Sequence, residues 1–459
     1  MSKIVSTNPS KNYEIIGEVE SSTQDEINST VAYAKEAQIM WASLSLPERC
    51  KALTSFVELS KKHAEEIAKA MASETGMLIA TARGEVATTV AYIEAHIEMA
   101  DEFLAPRTTF ETDTEIHRVY REPWGVIAAI APWNYPFLNI AFQCSQALLA
   151  GNAIVYKSSE EDPLFSKLVA SLMAESSMPE GVFNIVCGDG QVGGWLAHAD
   201  VDMISFTGST STGEALTKVA AEKFIPIITE MGGSVPLIVF EDIEITDELI
   251  EHIFARRFAK SGQNCDAVKR VLVHESKFKE LTDKLAALAK SKKVGDALDE
   301  SSQLGPLVAE RQIKKLETQV KESSASGAKV LTGGKRPDGL QGAYYEPTII
   351  VDIKPDMPVW REETFGPVLP IVAFDSEDKV VRMANHTKYG LGAHIFTHDK
   401  ARFERVAKQI QSGMIGHNQV MFWSPKNPFG GYKHSGMGRT SGLEGFLEVT
   451  QGKLISEEK

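Results

Sequence analysis

The first hundred residues carry a helical pattern of apolar positions. Between residues 24 and 104, apolar side chains recur at intervals of three and four, as in VAYAKEAQIMWASL and EVATTVAYIEAHIEMADEFL. This spacing places them on one face of an amphipathic helix. Pro47 suits the first turn of a helix, where its missing N–H would have no partner. We therefore expect several helices that each bury one face against a core.

Beyond residue 125 the pattern changes to short apolar strands that alternate with helices. The predicted strands are mostly β-branched and comprise residues 126–130, 153–156, 183–186, 203–206 and 225–229. The helix-like stretches between them are residues 140–150, 164–175, 192–198 and 212–223. Strands that alternate with helices predict a parallel sheet covered on both faces.

A second alternating region follows residues 232–236, whose two glycines and proline suggest a hinge between two α/β domains. Its predicted strands are residues 236–240, 269–274, 329–332, 348–351 and 368–373. Its predicted helices are residues 247–261, 275–289 and 310–324. The tail, residues 448–455, alternates weakly and is expected to be an edge strand used in assembly.

The composition excludes several classes of protein. The chain has 459 residues and a net charge of −14, from 48 basic and 62 acidic residues. Such a surface repels phosphate groups, so nucleic acids and anionic membranes are poor partners. No apolar run approaches the roughly 18 residues of a membrane span. The N-terminus also lacks the apolar core of a secretory signal.

One of the four cysteines lies in sequence surroundings that differ from those of the other three. Cys50, Cys144 and Cys187 lie in apolar or helical surroundings and are expected to be buried thiols. Four cysteines do not form a disulfide framework in a chain of this length, which indicates a reducing, cytoplasmic compartment. Cys265 lies on a polar loop, SGQNCD, before the strand VKRVLV. Such loops often carry reactive groups, so Cys265 is a candidate nucleophile, with a buried structural thiol as the alternative.

Two glycine-rich turns compete as phosphate-binding sites. Gly188, Gly190 and Gly193 form a GxGxxG motif between a strand and a helix, but the acidic residue expected about 20 positions later is missing. A tight turn is the alternative interpretation of this motif. The next turn, FTGSTSTG, places Gly208 and Ser209 at the start of a helix. The free N–H groups of a helix start attract a phosphate, although an ordinary hydroxyl N-cap fits equally well.

Polar side chains follow three strands of the first predicted sheet. Glu230 comes just after the last strand, and Asn134 lies between two prolines after the first. Lys157 and Glu160 follow the second strand. Each residue alone could be an N-cap, a solvated charge or part of a turn. Together they mark the carboxyl ends of the strands, where open α/β sheets bind ligands.

Seven motifs, in this order along the chain, carry a resemblance to a known family. They are PWNYPF at 132–137, YKSSE at 156–160, FTGSTSTG at 206–213, EMGG at 230–233, GQNC at 262–265, EETFGPV at 362–368 and PFGGYKHSGMGR at 428–439. On these motifs the chain resembles the NAD(P)-dependent aldehyde dehydrogenases over almost its whole length.

The resemblance implies an α/β protein with two parallel-sheet domains and a small β oligomerisation arm. It assigns residues 1–114 and 126–232 to a Rossmann-like NAD(P)-binding domain and residues 233–433 to a catalytic domain with the nucleophilic cysteine. It assigns residues 115–125 and 447–459 to the arm of a homodimer or homotetramer.

The resemblance also implies a role for each candidate residue. Cys265 would attack the aldehyde carbon, while the Asn134 amide and the Cys265 N–H would hold the oxyanion. Glu230 would activate the water that hydrolyses the thioester. NAD would be preferred, with NADP as an alternative, because Glu160 would accept hydrogen bonds from the ribose hydroxyls; no metal ion is implied. The implied cofactor-binding residues are Trp133, Lys157, Glu160, Gly190, Gly208, Ser209, Glu363 and Phe365.

The substrate is expected to be a small aldehyde whose identity the sequence does not fix. The implied pocket consists of Tyr135, Asn139, Phe142, Asn264, Asp266, Trp423 and Phe429. It contains no arginine to bind a carboxylate, so the aromatic residues favour apolar or aromatic aldehydes over semialdehyde acids.

Two departures from the family pattern and two alternative functions remain. Thr440 stands where the family motif usually has a glutamate, which in some members is assigned to a proton relay, and Ser158 replaces a common proline. One alternative is an acylating relative that passes the thioester to coenzyme A or phosphate, which Glu230 disfavours. The other is a catalytically inactive structural homologue, which the intact Cys265, Asn134 and Glu230 disfavour.

Overall fold

The structure is a computed structural model that describes residues 2–459. Within them the strands form two large sheets and three small ones. In chain order the strands are β1 (Lys3–Asn8), β2 (Glu14–Glu20), β3 (Arg107–Glu111), β4 (Glu115–Pro123), β5 (Val126–Ile130), β6 (Ala153–Lys157), β7 (Phe183–Val186), β8 (Met203–Thr207), β9 (Ile227–Glu230), β10 (Val235–Val239), β11 (Val268–His274), β12 (Lys329–Thr332), β13 (Thr348–Val351), β14 (Val368–Phe374), β15 (Tyr389–Gly390), β16 (Gly392–Phe396), β17 (Met414–His417), β18 (Tyr432–Lys433), β19 (Gly436–Met437) and β20 (Thr450–Glu458).

The helices cover both large sheets. In chain order they are α1 (Gln24–Ser43), α2 (Leu46–Lys62), α3 (Ala64–Thr75), α4 (Ile79–Leu104), α5 (Gln146–Leu149), α6 (Pro163–Glu175), α7 (Gly190–His198), α8 (Thr210–Lys223), α9 (Asp247–Phe258), α10 (Glu275–Ser291), α11 (Glu310–Ala325), α12 (Pro358–Arg361), α13 (Glu377–Asn385), α14 (Lys400–Ala407) and α15 (Gly442–Glu448).

The helical N-terminal region that the apolar pattern predicts is confirmed as α1 to α4. A capping box fixes the start of α1, where the Thr23 hydroxyl accepts from the Glu26 N–H and the Glu26 carboxylate accepts from the Thr23 N–H. Trp41, Phe56 and Met71 are fully buried from three of these helices. They belong to one core with residues of β5 and β6, so the helices cover one face of the first large sheet.

The first large sheet has the strand order β19-β9-β8-β5-β6-β7. All its pairings are parallel except that of β19 with β9, which is antiparallel. The five predicted strands are confirmed, with one difference that concerns the site: Glu230 is the last residue of β9 and does not lie beyond it. The predicted helix at 140–150 begins as a π-helical segment, Ile140–Ser145, which continues into α5.

The second large sheet has the order β12-β13-β14-β11-β10-β16-β17 and is parallel apart from β12. The predicted hinge overlaps this sheet, because Val235 and Pro236 open β10. The register shifts between these two residues, which accommodates a proline that cannot donate to the ladder. Helix α9 ends at Phe258, earlier than predicted, because Lys260 and Ser261 adopt left-handed backbone angles with φ of 51° and 54°.

A separate antiparallel sheet, β20-β4-β3, contains the arm. Its pairing runs from Thr450 opposite Pro123 to Glu458 opposite Glu115. Strand β3, which the sequence assigned to the NAD(P)-binding domain, pairs with β4 in this sheet. The sequence analysis also did not identify the β1–β2 hairpin. Within residues 2–459, no helix combines the length and the apolar character needed to cross a bilayer.

Two of the three thiols that were expected to be buried are less buried than predicted. Cys144 is buried, as predicted, but Cys50 and Cys187 are only partly buried. All four cysteines are free thiols.

Candidate active site

A cleft lies between the two large sheets. The carboxyl ends of β5, β8 and β9 form one wall, and the loops before β11 and β14 form the other. Most of the residues that the sequence singled out line it. They are Trp133, Asn134, Tyr135, Asn139, Phe142, Gly208, Ser209, Glu230, Asn264, Cys265, Asp266, Glu363, Phe365, Trp423 and Phe429.

Cys265 lies on the loop between the left-handed pair at 260–261 and β11. Its side chain is partly exposed to the cleft, and its Sγ lies 3.7 Å from Asn264 Oδ1, to which the thiol can donate. Burial raises the pKa of the Cys265 thiol, the adjacent Asp266 raises it further, and Lys269 lowers it. The thiol therefore needs a base or a favourable field to react as a thiolate.

Asn134 is held on the opposite wall by a buried polar network. Its Nδ2 donates to the carbonyl of Gln263 at 3.0 Å, and its own carbonyl accepts from Lys260 Nζ at 2.7 Å. The same ammonium forms an ion pair with Glu85, and both side chains are almost completely buried. This network joins α4, the Asn134 turn and the loop that carries Cys265, so it fixes the Asn134 side chain against the Gln263 carbonyl of that loop.

Glu230 lies in the cleft without a hydrogen-bond partner. The residue is 4% exposed, and neither carboxylate oxygen has a partner within residues 2–459. Burial holds the pKa of Glu230 well above its usual range, while Arg439 lowers it. A side chain at Gly430 would collide with the Glu230 carboxylate, so that glycine leaves room for it. A buried carboxylate with free lone pairs can accept a proton from water.

Two further polar atoms near this wall also lack partners. The Oε1 of Gln143 and the hydroxyl of Thr440 are buried, and neither has a partner in the described part of the chain. Gln143 Nε2 donates to Thr207 Oγ1 at 2.9 Å, and Thr207 lies opposite Glu230 in the register of β8 and β9. Unpaired buried polar atoms of this kind are sites where internal water binds.

The cofactor residues implied by the sequence fall into two groups. Gly208 and Ser209 precede α8, where the Ser209 hydroxyl accepts from the Thr212 N–H at 3.3 Å. Trp133 and Phe365 meet edge to face with ring centres 5.8 Å apart. Glu363 accepts a hydrogen bond from the Gly233 N–H at 3.0 Å. These residues line the cleft.

The second group lies outside the lining of the cleft. Lys157 is buried at the end of β6, with its Nζ 3.8 Å from a carboxylate oxygen of Glu160. Burial lowers the pKa of Lys157. Gly190 begins α7, whose N-terminus is already capped by Asp189, which accepts from the Gln191 N–H at 2.9 Å. That carboxylate disfavours a phosphate at the GxGxxG turn, which leaves the Gly208 turn as the better anion site.

Aromatic rings form most of the implied substrate pocket. Tyr135 and Trp423 meet edge to face at 6.5 Å, and Phe142 lies 5.3 Å from Phe429. Asp266 adds a buried carboxylate, whose Oδ2 accepts from Arg256 at 3.1 Å. Its Oδ1 has no partner within residues 2–459.

The sequence analysis missed several residues of the site. Three of them line the cleft and belong to none of the motifs; they are Leu138, Gln312 and Lys315. Three charged residues beneath it, Glu85, Lys260 and Lys269, were also missed. For Lys269 a signal existed, since two adjacent basic residues in a predicted buried strand are unusual. Within residues 2–459, no cluster of three or more His, Cys, Asp or Glu side chains could bind a metal ion.

The sequence profile of the Aldehyde dehydrogenase family matches residues 1–455. The chain belongs to this family. It is 37% identical to aminoaldehyde dehydrogenase 1, peroxisomal, of Pisum sativum, over 98% of this chain and 92% of that protein. The family and the activity class that the motifs predict are thus confirmed, and this aldehyde dehydrogenase is an NAD(P)-dependent oxidoreductase.

Solved structures agree with this assignment. A betaine aldehyde dehydrogenase from Staphylococcus aureus in complex with NAD+ superposes with a TM-score of 0.95 at 30% identity, covering 99% of this chain and 91% of that one. An NADP dependent enzyme from Escherichia coli superposes with a TM-score of 0.96 at 31% identity, covering 100% and 95%. The predicted fold of two α/β domains with a small β arm is confirmed.

Proposed function

We propose that Cys265 is the nucleophile with which this aldehyde dehydrogenase attacks its substrate. The thiolate adds to the aldehyde carbon, and the carbonyl oxygen becomes an oxyanion. The Asn134 amide and the Cys265 N–H stabilise that oxyanion, each donor contributing about 3–4 kcal/mol. The proposal is supported by the cleft, which both residues line, and by the partial exposure of Cys265 within it.

Glu230 acts as the base of the hydrolytic half-reaction. The former aldehyde hydrogen leaves as a hydride with both bonding electrons, which a bound nicotinamide would accept, and the oxyanion becomes the carbonyl of a thioester on Cys265. Glu230 takes a proton from water, the hydroxide oxygen bonds to the acyl carbon, and the Cys265 thiolate leaves with the acid as product. The unpaired oxygens of Glu230 carry this part of the proposal. They also favour water over coenzyme A or phosphate as the acceptor.

We infer that a dinucleotide binds partly in the cleft and partly beyond its lining, because the implied cofactor residues fall into these two groups. In this proposal Lys157 and Glu160 hold the adenosine ribose, Gly190 passes near the adenine, and the start of α8 at Gly208 and Ser209 binds the pyrophosphate. Glu363 and Phe365 are then available for the nicotinamide ribose and ring. When bound, the nicotinamide supplies the acceptor for the two electrons of the oxidation. We infer that NAD is preferred over NADP, because Glu160 would repel a 2′-phosphate.

The aromatic side of the cleft favours aldehydes with an apolar or aromatic body. A cationic aldehyde is the second candidate, because the free Oδ1 of Asp266 can accept from an ammonium group. Arg256 offsets part of that charge. The ratio of kcat/KM values for hexanal, benzaldehyde, 4-aminobutanal and succinate semialdehyde distinguishes these classes. Succinate semialdehyde is expected to be the poorest substrate of the four.

The arm is proposed to join copies of the chain as a homodimer or homotetramer. Leu454, Ile455 and Phe110 are exposed apolar residues on the arm sheet, which suits an interface. Light scattering of the full chain and of a Leu454→Glu variant tests this. The cytoplasmic compartment and the domain boundaries inferred from the sequence stay predictions.

The test of the proposed function is Cys265→Ser. This variant should lose NADH production with the best aldehyde of the panel while it still binds NAD+, because a serine hydroxyl ionises far less readily than a thiol. Cys50→Ser is the matched control, since it changes another partly buried thiol remote from the cleft and should keep full activity. Substantial turnover by Cys265→Ser would remove Cys265 from the nucleophile role.

A further inference from the structure

Lys269 is a buried ammonium directly behind the nucleophile loop. It is the second residue of β11 and is 1% exposed. Its Nζ donates to the Asn264 carbonyl at 2.9 Å and to the Cys265 carbonyl at 2.7 Å. It also lies 2.8 Å from Glu363 Oε1. A lysine has three N–H donors, so these three acceptors satisfy the whole group.

The contact with the Asn264 carbonyl fixes the direction of the next N–H. A peptide unit is planar, and in the trans form its C=O and N–H point in opposite directions. No cis peptide occurs within residues 2–459. When Lys269 holds the Asn264 carbonyl on one side of the loop, the Cys265 N–H must therefore point to the other. That N–H has no acceptor in the described part of the chain, so it is free to bind an oxyanion.

Glu363 extends this arrangement to the cofactor side of the cleft. Its Oε1 accepts both from Lys269 and from the Gly233 N–H, the latter at 3.0 Å. Gly233 follows β9, and a side chain there would collide with the Cys265 carbonyl. One carboxylate therefore joins the nucleophile loop to the segment that follows Glu230.

We propose that Lys269 is a positioning residue for the reaction, which aims the Cys265 N–H at the oxyanion and sets the charge beside the thiol. This inference rests on the proposed function of Cys265. Lys269 touches the loop backbone and not the substrate, so it acts through Cys265.

The charge of Lys269 matters because three acidic groups surround the Cys265 thiol. Asp266, Glu363 and Glu230 all raise the pKa of Cys265, and Lys269 lowers it. The other titratable groups that interact with the thiol are Lys260 and Tyr135. Lys260 is paired with Glu85 and Lys269 with Glu363, but the ammonium of Lys269 also binds the carbonyl of Cys265 itself. Without Lys269, three acidic groups would face the thiol with less compensation.

The experiment uses Lys269→Met and Lys269→Gln in the full chain. In Lys269→Met, kcat with NAD+ and hexanal should fall roughly tenfold to a thousandfold, as when an oxyanion donor is lost, with a smaller change in KM. The pH midpoint for alkylation of Cys265 by iodoacetamide, followed on the peptide that contains it, should move to higher pH. Lys269→Gln keeps amide donors but no charge, so it should retain more kcat than Lys269→Met and show the same shift of the midpoint.

Lys223→Met is the matched control. Lys223 also donates to three backbone carbonyls, those of Ala197, Ala199 and Val201, but remote from the cleft. It should keep the wild-type kcat and alkylation midpoint. If both Lys269 variants stay folded and match the wild type in kcat and midpoint, the inference is wrong. If Lys269→Met unfolds, Lys269→Gln decides by the same two measurements. Activity in Cys265→Ser would instead overturn the proposed function, so the two failures are distinguishable.

Discussion

Two buried glutamates, one beneath the cleft and one lining it, differ in every contact they make. Glu85 accepts from the N–H groups of Phe137 and Leu138 at 3.0 and 3.1 Å, and its other oxygen is paired with Lys260. Glu230 has no partner on either oxygen within residues 2–459. Both side chains come from regular elements, α4 and β9. The difference therefore lies in their surroundings and not in the rigidity of their backbone.

The comparison distinguishes a carboxylate that holds the structure of the site from one that is available for its chemistry. The partnered carboxylate holds the turn that carries Asn134, because Lys260 binds Glu85 and the Asn134 carbonyl together. The unpartnered carboxylate stabilises nothing, and its burial costs free energy. A protein that retains such a group gains from its reactivity. The predictions below alter each type of carboxylate in turn.

Glu230→Gln should give the largest change in rate. An amide cannot take a proton from water, so steady-state turnover should fall by roughly 10²–10⁴-fold, while the first turnover stays fast. Stopped-flow absorbance should then show a burst of NADH followed by a slow phase. Because burial raises the pKa of Glu230, the carboxylate fraction and the wild-type steady-state rate should increase with pH, with a midpoint above the usual range of a glutamate. The variant should lose that part of the pH dependence.

Glu448→Gln is the control for this experiment. Glu448 lies close enough to raise the pKa of Glu230 but leaves the Glu230 carboxylate in place. It should show no burst. A normal steady-state rate in Glu230→Gln would mean that another group activates the water, and would make Glu230 a structural residue like Glu85.

Lys260→Met should act on stability first. Removing one partner of a buried ion pair leaves an uncompensated charge, which costs about 3–5 kcal/mol. Urea unfolding should show this loss, and kcat should fall because the Asn134 turn is no longer held. The double variant Glu85→Gln/Lys260→Met should recover part of the stability, since no charge is left unpaired.

Lys279→Met is the matched control for Lys260→Met. Lys279 pairs with Asp283 at 2.5 Å, but the two side chains are 88% and 61% exposed. Such surface pairs contribute about 0–1 kcal/mol. An equal effect of the two variants on the free energy of unfolding would show that the buried Glu85–Lys260 pair does not stabilise the fold more than a surface pair.

The same contrast explains what the sequence could predict. Cys265, Glu230 and Asn134 lie in short motifs beside predicted strands, so local pattern and chemistry were enough to single them out. The Glu85–Lys260 pair spans 175 residues, and no local feature links its members. Lys269 appears in the sequence as a charge in a strand, but its acceptors are a backbone turn and a distant carboxylate. Contacts of that kind depend on how the two sheets pack together.

The prediction of secondary structure from the sequence has a similar limit. Five strands of each large sheet could be predicted because their apolar runs are continuous, whereas β16, β17 and β19 were not identified. The end of α9 could not, since the left-handed angles of Lys260 and Ser261 occur in residues that rarely adopt them. In the β1–β2 hairpin exposed and buried positions do not follow the alternation of apolar residues, which leaves little periodicity to detect.

The carboxylate of Glu160 is intermediate between those of Glu85 and Glu230. Its substitution is expected to give the smallest effect. Glu160 is 39% exposed, with one oxygen 3.8 Å from Lys157 Nζ and the other 3.5 Å from Arg311. By accepting hydrogen bonds from the adenosine ribose, Glu160 should favour NAD over NADP by roughly tenfold to a thousandfold, or about 1.4–4 kcal/mol. The two cations can also meet a 2′-phosphate, which places the expected preference towards the lower end of that range. Glu160→Ser should therefore raise kcat/KM for NADP relative to NAD, whereas Glu161→Ser, which changes the adjacent carboxylate, should not. Equal use of the two cofactors by the wild type, or no relative gain for NADP in Glu160→Ser, would make Glu160 a surface partner of Arg311 with no part in cofactor choice.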